Sequence, residues 1–124
     1  MSEMGRGASG SGPAAEEPVA RYARMLAALG AEARLRIFRL LLAAHPGGLV
    51  VGEIMPQAGV SASTLSHHLD KLRNEGLVSV QREGTFLRYR ISATAVRELL
   101  GFFYAECCSR NRVVDPAELS ARHS

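Results

Sequence analysis

Residues 60–78, which read VSASTLSHHLDKLRNEGLV, decide the fold of this 124-residue chain. Leucine recurs there at positions 65, 69 and 72, a spacing that places the three side chains on one face of a helix. Serine and threonine residues within positions 61–64 offer several N-caps, and Gly76 provides a stop. The pattern predicts a helix over residues 63–75 with one apolar face and one polar face.

The segments on either side of this helix complete a winged helix-turn-helix. Residues 51–57 favour a short helix, limited near its end by a proline, and Gly59 supplies the tight turn that joins the two helices. Downstream, apolar residues alternate at period two over residues 77–81 and 86–91, on either side of a turn at residues 82–85. These patterns predict a mainly α fold with one small β-hairpin, the wing.

Three further helices are predicted around this unit. One runs from about residue 16 to Gly30, one covers residues 32–44, and one covers residues 93–110 after a cap at Ser92. The first and last carry apolar stripes at helical spacing, formed by Val19, Tyr22, Ala23 and Leu26 and by Val96, Leu99, Leu100, Phe103 and Cys107. One small domain cannot use all of this apolar surface in its own core, so we expect a dimer.

The polar face of the 63–75 helix is typical of a helix that reads DNA. Short hydroxyls and an adaptable imidazole can reach base edges and phosphates in a major groove. The candidates on this helix are Ser63, Thr64, Ser66, His67 and Lys71, and the wing adds Arg82 and Thr85, with Arg88 as a further candidate. Each residue taken alone also fits a helix cap or a solvated face. The order of the elements favours double-stranded DNA as the partner.

The composition fits one small domain between two tails. Hydrophobic residues make up 47% of the chain, and the net charge of +3 permits nucleic-acid binding without requiring it. We expect a disordered tail over residues 1–15, the DNA-binding and dimerisation domain over residues 16–110, and a C-terminal tail over residues 111–124 in which Asp115 and Pro116 could start a short helix. The sequence shows no membrane span or secretory signal, so we expect a cytoplasmic location.

These segments resemble the ArsR/SmtB family of winged-helix repressors. The resemblance covers about residues 19–108, and Ser66-His67-His68-Leu69 is its more specific segment. The other matching segments are residues 33–37, 60–65, 72–78, 82–84 and 89–91. The resemblance implies a homodimer joined by its first and last helices, which represses an operon until an inducer lowers its DNA affinity. It also implies base and phosphate contacts for Ser63, Thr64, Ser66 and His67.

Cys107 and Cys108 are the only thiols in the chain and the candidates for a sensing site. Thiolates select soft centres such as Cu(I), Zn(II) and trivalent arsenic or antimony. The family's Cys-Val-Cys site would fall on residues 49–53, which hold no cysteine, and its zinc-type site needs histidines that residues 93–110 do not contain. Residues 101–108 instead resemble the arsenite-responsive branch with a vicinal cysteine pair on the last helix.

The number of thiols bears on the identity of the inducer. Inorganic As(III) or Sb(III) favours three thiolates, and members of that branch often carry a third cysteine, which this chain lacks. Two thiolates complement a centre that already carries one carbon substituent, such as methylarsenite. The sequence leaves open As(III) held by Cys107, Cys108 and a weaker third ligand, or a trivalent organoarsenical. Binding at the end of the last helix would distort the dimer interface and lower DNA affinity.

Other functions compete with this interpretation. A thiol-based redox or reactive-sulfur sensor is the main alternative, although such sensors usually use cysteines far apart in sequence. The two cysteines could also only pack, which would leave a constitutive DNA-binding protein. An enzyme is not expected, because no Gly-rich phosphate loop precedes Cys107 and the serines and histidines lack a triad-like set of partners.

Overall fold

The computed structural model describes residues 17–107, 113, 115 and 117–119. Residues 17–107 contain five helices and three strands. In chain order the elements are α1 (Pro18–Leu29), α2 (Glu32–Ala43), β1 (Leu49–Val50), α3 (Val51–Ala58), α4 (Ala62–Asn74), β2 (Val78–Glu83), β3 (Phe86–Ile91) and α5 (Ala93–Cys107). The predicted mainly α fold with a small hairpin is confirmed. The predicted tail over residues 1–15 lies outside the described residues.

The α3 and α4 helices form the predicted helix-turn-helix. Gly59 ends α3 with a φ of 69°, a left-handed conformation that glycine adopts without a steric penalty. Ser61 then caps α4, since its Oγ accepts a hydrogen bond from the backbone N–H of Thr64 at 3.3 Å. The α3 helix continues past Pro56 to Ala58, so the expected end was placed too early. Pro56 has no N–H, so α3 lacks one backbone hydrogen bond, the one that would reach the carbonyl of Gly52.

The leucine face of α4 lies at the centre of the core. Leu65, Leu69 and Leu72 are at most 1% exposed. They belong to one cluster with Met25 from α1, Ile37, Phe38 and Leu41 from α2, and Ile54 from α3. Each such buried side chain contributes about 1.5–3 kcal/mol to folding. The predicted apolar face is confirmed, and its burial turns the polar face of α4 to solvent.

The three strands form an antiparallel sheet in the order β1-β3-β2. The β2–β3 ladder extends as far as the pair Glu83 and Phe86, which leaves Gly84 and Thr85 as the turn. The expected four-residue turn at residues 82–85 is therefore wrong, because its first two residues are paired with β3. The two-residue strand β1 was not predicted, since two residues are too few to show an alternation.

The predicted boundaries of α5 and the predicted short helix near Asp115 are only partly covered by the described residues. Ser92 caps α5 as expected, with its Oγ accepting from the backbone N–H of Ala95 at 3.1 Å. The predicted extension of this helix from residue 108 to residue 110 lies outside the described residues. Farther along, Asp115 accepts a hydrogen bond from the backbone N–H of Ala117 at 2.9 Å, and residues 117–119 are helical.

A close approach at Gly48 leads to a prediction about stability. Gly48 has a φ of 76°, and a Cβ at this position would lie 2.3 Å from the carbonyl oxygen of Tyr89 in β3. We therefore expect Gly48→Ala to lower the free energy of unfolding by more than about 1 kcal/mol, measured by urea denaturation.

Gly52→Ala is the matched control, because Gly52 is exposed in α3 and a Cβ there would have nothing within 4 Å. This control should raise the free energy of unfolding by about 0.4–1 kcal/mol. Equal stabilities of the two alanine variants would contradict the close packing of Gly48 against β3.

Candidate nucleic-acid interface

One face of α4 carries five of the side chains that the sequence marks as DNA contacts. Ser63, Thr64, Ser66, His67 and Lys71 are all exposed. They span about 12 Å along the helix axis, at about 1.5 Å per residue. The leucines on the opposite face are buried, so the structure gathers these five side chains on one solvent-facing surface. A helix with its side chains is about 10–12 Å across, so α4 can enter a B-DNA major groove, which is about 12 Å wide.

Hydroxyl groups cluster at the N-terminus of α4. Ser61 donates from its Oγ to Thr64 Oγ1 at 3.0 Å, in addition to capping the helix. The Oγ atoms of Ser61 and Ser63 lie 3.4 Å apart. The capping role therefore belongs to Ser61, which the sequence analysis named only among several cap candidates. A cap does not account for the other hydroxyls, Ser63, Thr64 and Ser66, which lie within the helix.

The wing presents two of its three predicted contacts to solvent. Arg82 and Thr85 are exposed near the tip of the hairpin. Arg88 instead points to Glu83, with its Nε 2.9 Å from each carboxylate oxygen, and donates from Nη1 to the carbonyl of Gly48 at 3.3 Å. These contacts join the wing to the loop before β1. Arg88 is therefore engaged within the domain, and its candidate DNA contact stays a prediction.

Arg34 connects three helices beside the exposed face of α4. From the first turn of α2 it donates through Nε to the carbonyl of Ala28, in the last turn of α1, at 2.6 Å. Its Nη1 lies 3.4 Å from Nδ1 of His68 in α4. The ring of His68 in turn lies 5.9 Å, centroid to centroid, from that of His67. Arg34 and His68 are 34 positions apart, and no local pattern in the sequence shows that they meet.

The surroundings of His68 favour its neutral form. Partial burial lowers the pKa of His68 below its ordinary value of 6.5, and the nearby charges of Arg34 and His67 lower it further. Arginine is always a donor, so Nδ1 of His68 serves as the acceptor of this contact. A second proton on the imidazole would remove that acceptor and place two cations side by side.

Exposed apolar side chains lie on the α1 and α5 helices, and we call this set the α1/α5 surface. It consists of Val19, Leu26, Leu100, Phe103 and Tyr104, whose exposed fractions range from 41% to 62%. The two helices are joined beside it by stacking of Tyr22 on Phe102, with centroids 4.7 Å apart, and by an ion pair of Arg21 with Glu98 at 2.8 Å. Several large apolar side chains exposed on two helices that contact each other are typical of an interaction surface.

Cys107 is the last residue of α5 and is partly buried. Its predicted partner Cys108 lies outside the described residues. Within residues 17–107, 113, 115 and 117–119, no group of three or more histidine, cysteine, aspartate and glutamate side chains converges on a possible metal position. In the same part of the chain, no helix combines the length and the apolar content needed to cross a membrane.

Residues 31–80, from the end of the α1–α2 connection into β2, match the family described as "Bacterial regulatory protein, arsR family". The transcriptional activator HlyU of Vibrio cholerae is 33% identical over 97 residues, which cover 78% of this chain and 87% of that protein. A solved structure of HlyU matches with a TM-score of 0.60 at 33% identity, over 76% of this chain and 99% of that chain.

Two further proteins extend the comparison. The putative arsenical resistance operon repressor ArsR of Halobacterium salinarum is 38% identical over 85 residues, covering 67% of this chain and 60% of that protein. The solution structure of Mb0332 from Mycobacterium bovis, a homodimeric winged helix-turn-helix DNA-binding domain, has a TM-score of 0.58 at 33% identity. It covers 70% of this chain and 78% of that chain. The winged helix-turn-helix fold is confirmed.

The lowered pKa of His68 leads to a prediction about pH. The unfolded chain binds more protons than the folded one between the ordinary pKa of 6.5 and the lower folded value. His68 therefore makes its full contribution to the free energy of unfolding above that interval. This free energy should fall as the pH drops through the interval. Urea unfolding of the wild type and of His68→Asn between about pH 5 and pH 8 measures the effect.

Asparagine keeps an acceptor near the position of Nδ1 but does not titrate, so the variant should lose less stability on acidification than the wild type. Equal acid sensitivity of the two proteins would contradict the assignment of a neutral His68.

Proposed function

This chain belongs to the ArsR family of bacterial transcriptional regulators, and we propose that it is a homodimeric repressor that leaves its operator when a thiophilic inducer binds. The matched family and the relatives are regulators, so the chain is a transcriptional regulator and not an enzyme. The observation that carries the proposal is the exposed, hydroxyl-rich face of α4, turned outward by three buried leucines. In this proposal it acts in the cytoplasm, where thiols stay reduced.

The proposed division of contacts follows the chemistry of the side chains. Ser63, Thr64, Ser66 and His67 combine short reach with both donor and acceptor capacity, so they are assigned to base edges and nearby phosphates in the major groove. Lys71, Arg82 and Thr85 are assigned to the phosphate backbone or the minor groove. No ion pair between Lys71 or Arg82 and a carboxylate is found among the described residues, which favours this role for their charges.

The proposed homodimer would be joined through the α1/α5 surface. Its apolar side chains are exposed in the single chain and would be buried against a second copy. A two-fold dimer places two recognition helices on half-sites about one helical turn of DNA apart, which is about 34–36 Å. The solved Mb0332 domain, itself described as homodimeric and DNA-binding, supports this arrangement.

The proposed inducer is a trivalent arsenic species held by Cys107 and Cys108, with As(III), Sb(III) and methylarsenite as the candidates. These two thiols are the only ones in the sequence. One relative is named as a putative arsenical resistance operon repressor, which supports this class of inducer. Cys107 ends the helix that carries Leu100, Phe103 and Tyr104 of the α1/α5 surface. Distortion of this helix end by the inducer would alter the dimer and lower its affinity for DNA.

DNA recognition is tested with duplexes that the full-length protein selects from a random library. His67→Ala should weaken binding to a selected duplex by about 1–3 kcal/mol and affect a scrambled duplex little. Lys71→Gln should weaken both duplexes alike and lower the salt dependence by about one counterion. Titrations by fluorescence anisotropy at several salt concentrations measure both effects.

Arg39→Gln is the charge-matched control for Lys71→Gln, because Arg39 is exposed on α2, outside α4, the wing and the α1/α5 surface. It should leave the affinity for both duplexes unchanged. Failure of the wild type to enrich any duplex would refute the proposed DNA binding. Unchanged affinities of both α4 variants would refute the contacts assigned to that helix.

The sensing site is tested by release of a selected duplex. Arsenite, methylarsenite, Sb(III), Cd(II), Zn(II) and a thiol oxidant are titrated in parallel against the wild type and the double variant Cys107→Ser, Cys108→Ser. We expect the trivalent arsenic species to release the wild type, and the double variant to keep its DNA affinity but lose the response. Normal release of the double variant by arsenic would refute the site. Release of the wild type by the oxidant alone would favour the redox alternative.

A further inference from the structure

Arg34 supplies a hydrogen-bond donor to a backbone carbonyl at the end of α1. Ala28 lies in the last turn of α1, where backbone carbonyls have no partner within the helix, and it is only 7% exposed. A buried carbonyl without a hydrogen bond is destabilising by about 1–3 kcal/mol. The Nε of Arg34 donates to this carbonyl at 2.6 Å. The guanidinium is thereby anchored to α1 before it reaches α4.

The rest of the same guanidinium reaches α4. Its Nη1 lies 3.4 Å from Nδ1 of His68, which is partly buried between the leucine face of α4 and the exposed His67. The planar fork of arginine can serve two acceptors in a fixed relative geometry, which the single ammonium of a lysine cannot do. One side chain therefore contacts both the end of α1 and the middle of α4.

A second link between these two helices is weaker. Arg24 in α1 contacts Glu75, just after α4, at 3.2 Å, and about half of the Arg24 side chain is exposed. Exposed ion pairs of this kind contribute between about 0 and 1 kcal/mol, because water screens them and both side chains lose freedom. The partly buried Arg34 contact is thus the better candidate for setting how α4 is held against α1.

We infer that Arg34 is a positioning residue for DNA recognition: through His68 it holds α4 in the orientation that presents His67 and its neighbours to the bases. The inference rests on the proposed function and goes beyond it, because Arg34 itself touches no DNA in this account. Recognition side chains must be held within about 0.5 Å of their productive positions. Loss of the Arg34 contacts therefore reduces discrimination between DNA sequences while leaving phosphate contacts in place.

The test compares affinities for a selected and a scrambled duplex, using the full-length variants Arg34→Gln, His68→Leu and the double variant. The ratio of the two affinities should fall about tenfold in Arg34→Gln and in His68→Leu, and the double variant should fall no further. The slope of affinity against salt should match the wild type in all three. His68→Asn, which keeps an acceptor near the position of Nδ1, should restore a ratio close to that of the wild type.

Arg36→Gln is the matched control, since it removes the same charge about 200° around α2 from Arg34. Its ratio should equal that of the wild type. Arg34→Lys retains the charge but not the fork, so it should lose discrimination as Arg34→Gln does. If the Arg34 variants do not fold, as judged by thermal unfolding, the comparison of His68→Leu with His68→Asn decides the question alone.

Three results would overturn the inference. The ratio could stay unchanged in Arg34→Gln, or the losses of the two single variants could add in the double variant. Arg34→Gln could also weaken both duplexes equally and lower the salt slope by about one counterion, which would make Arg34 a phosphate contact. Failure of the proposed function is distinguishable, because the wild type itself would then show no preference for any duplex, and the inference would fall with it.

Discussion

The burial of Leu65, Leu69 and Leu72 in the hydrophobic core is the interaction on which the rest of the structure depends. A helix that buries one face must present the other to solvent, so this packing selects which side chains can meet DNA. Loss of one such leucine typically removes about 2–5 kcal/mol, a large part of the about 5–15 kcal/mol that stabilises a domain. The core and the proposed recognition surface therefore lie on opposite faces of one helix. Burial of the leucines stabilises the core and also fixes which side chains face solvent.

Polar contacts refine what the apolar core establishes. Apolar packing is non-directional and holds α4 in the core, whereas hydrogen bonds depend on direction and constrain the orientation of the helix. Ser61 determines where α4 begins, and Arg34 links its middle to the carbonyl end of α1. In the wing, Arg88 plays a comparable part by joining Glu83 to the loop before β1. In each case a polar residue of the winged helix-turn-helix domain forms hydrogen bonds that cap or join elements of the domain.

Sequence reasoning succeeded where the signal is local and periodic. The leucine spacing in α4, the Gly59 turn and the Ser92 cap all depend on residues a few positions apart, and the structure has each of them. It failed where partners are remote. Arg34 and His68 are 34 positions apart, and Arg88 and Gly48 are 40. No pattern within a short window shows that such residues meet, so the sequence predicts neither the contacts of Arg34 nor those of Arg88.

The sequence by itself determined the winged helix-turn-helix, its order of elements and the set of polar residues that α4 turns to solvent, because hydrophobic periodicity dictates which face of an element is buried. The tertiary structure alone decided which polar side chains of the domain have partners within the fold. It engaged Arg88, left Lys71 and Arg82 exposed, and brought Arg34 to His68. The physical reason is that the partners of a charged side chain are set by distance in space, and folding brings together residues from distant parts of the chain.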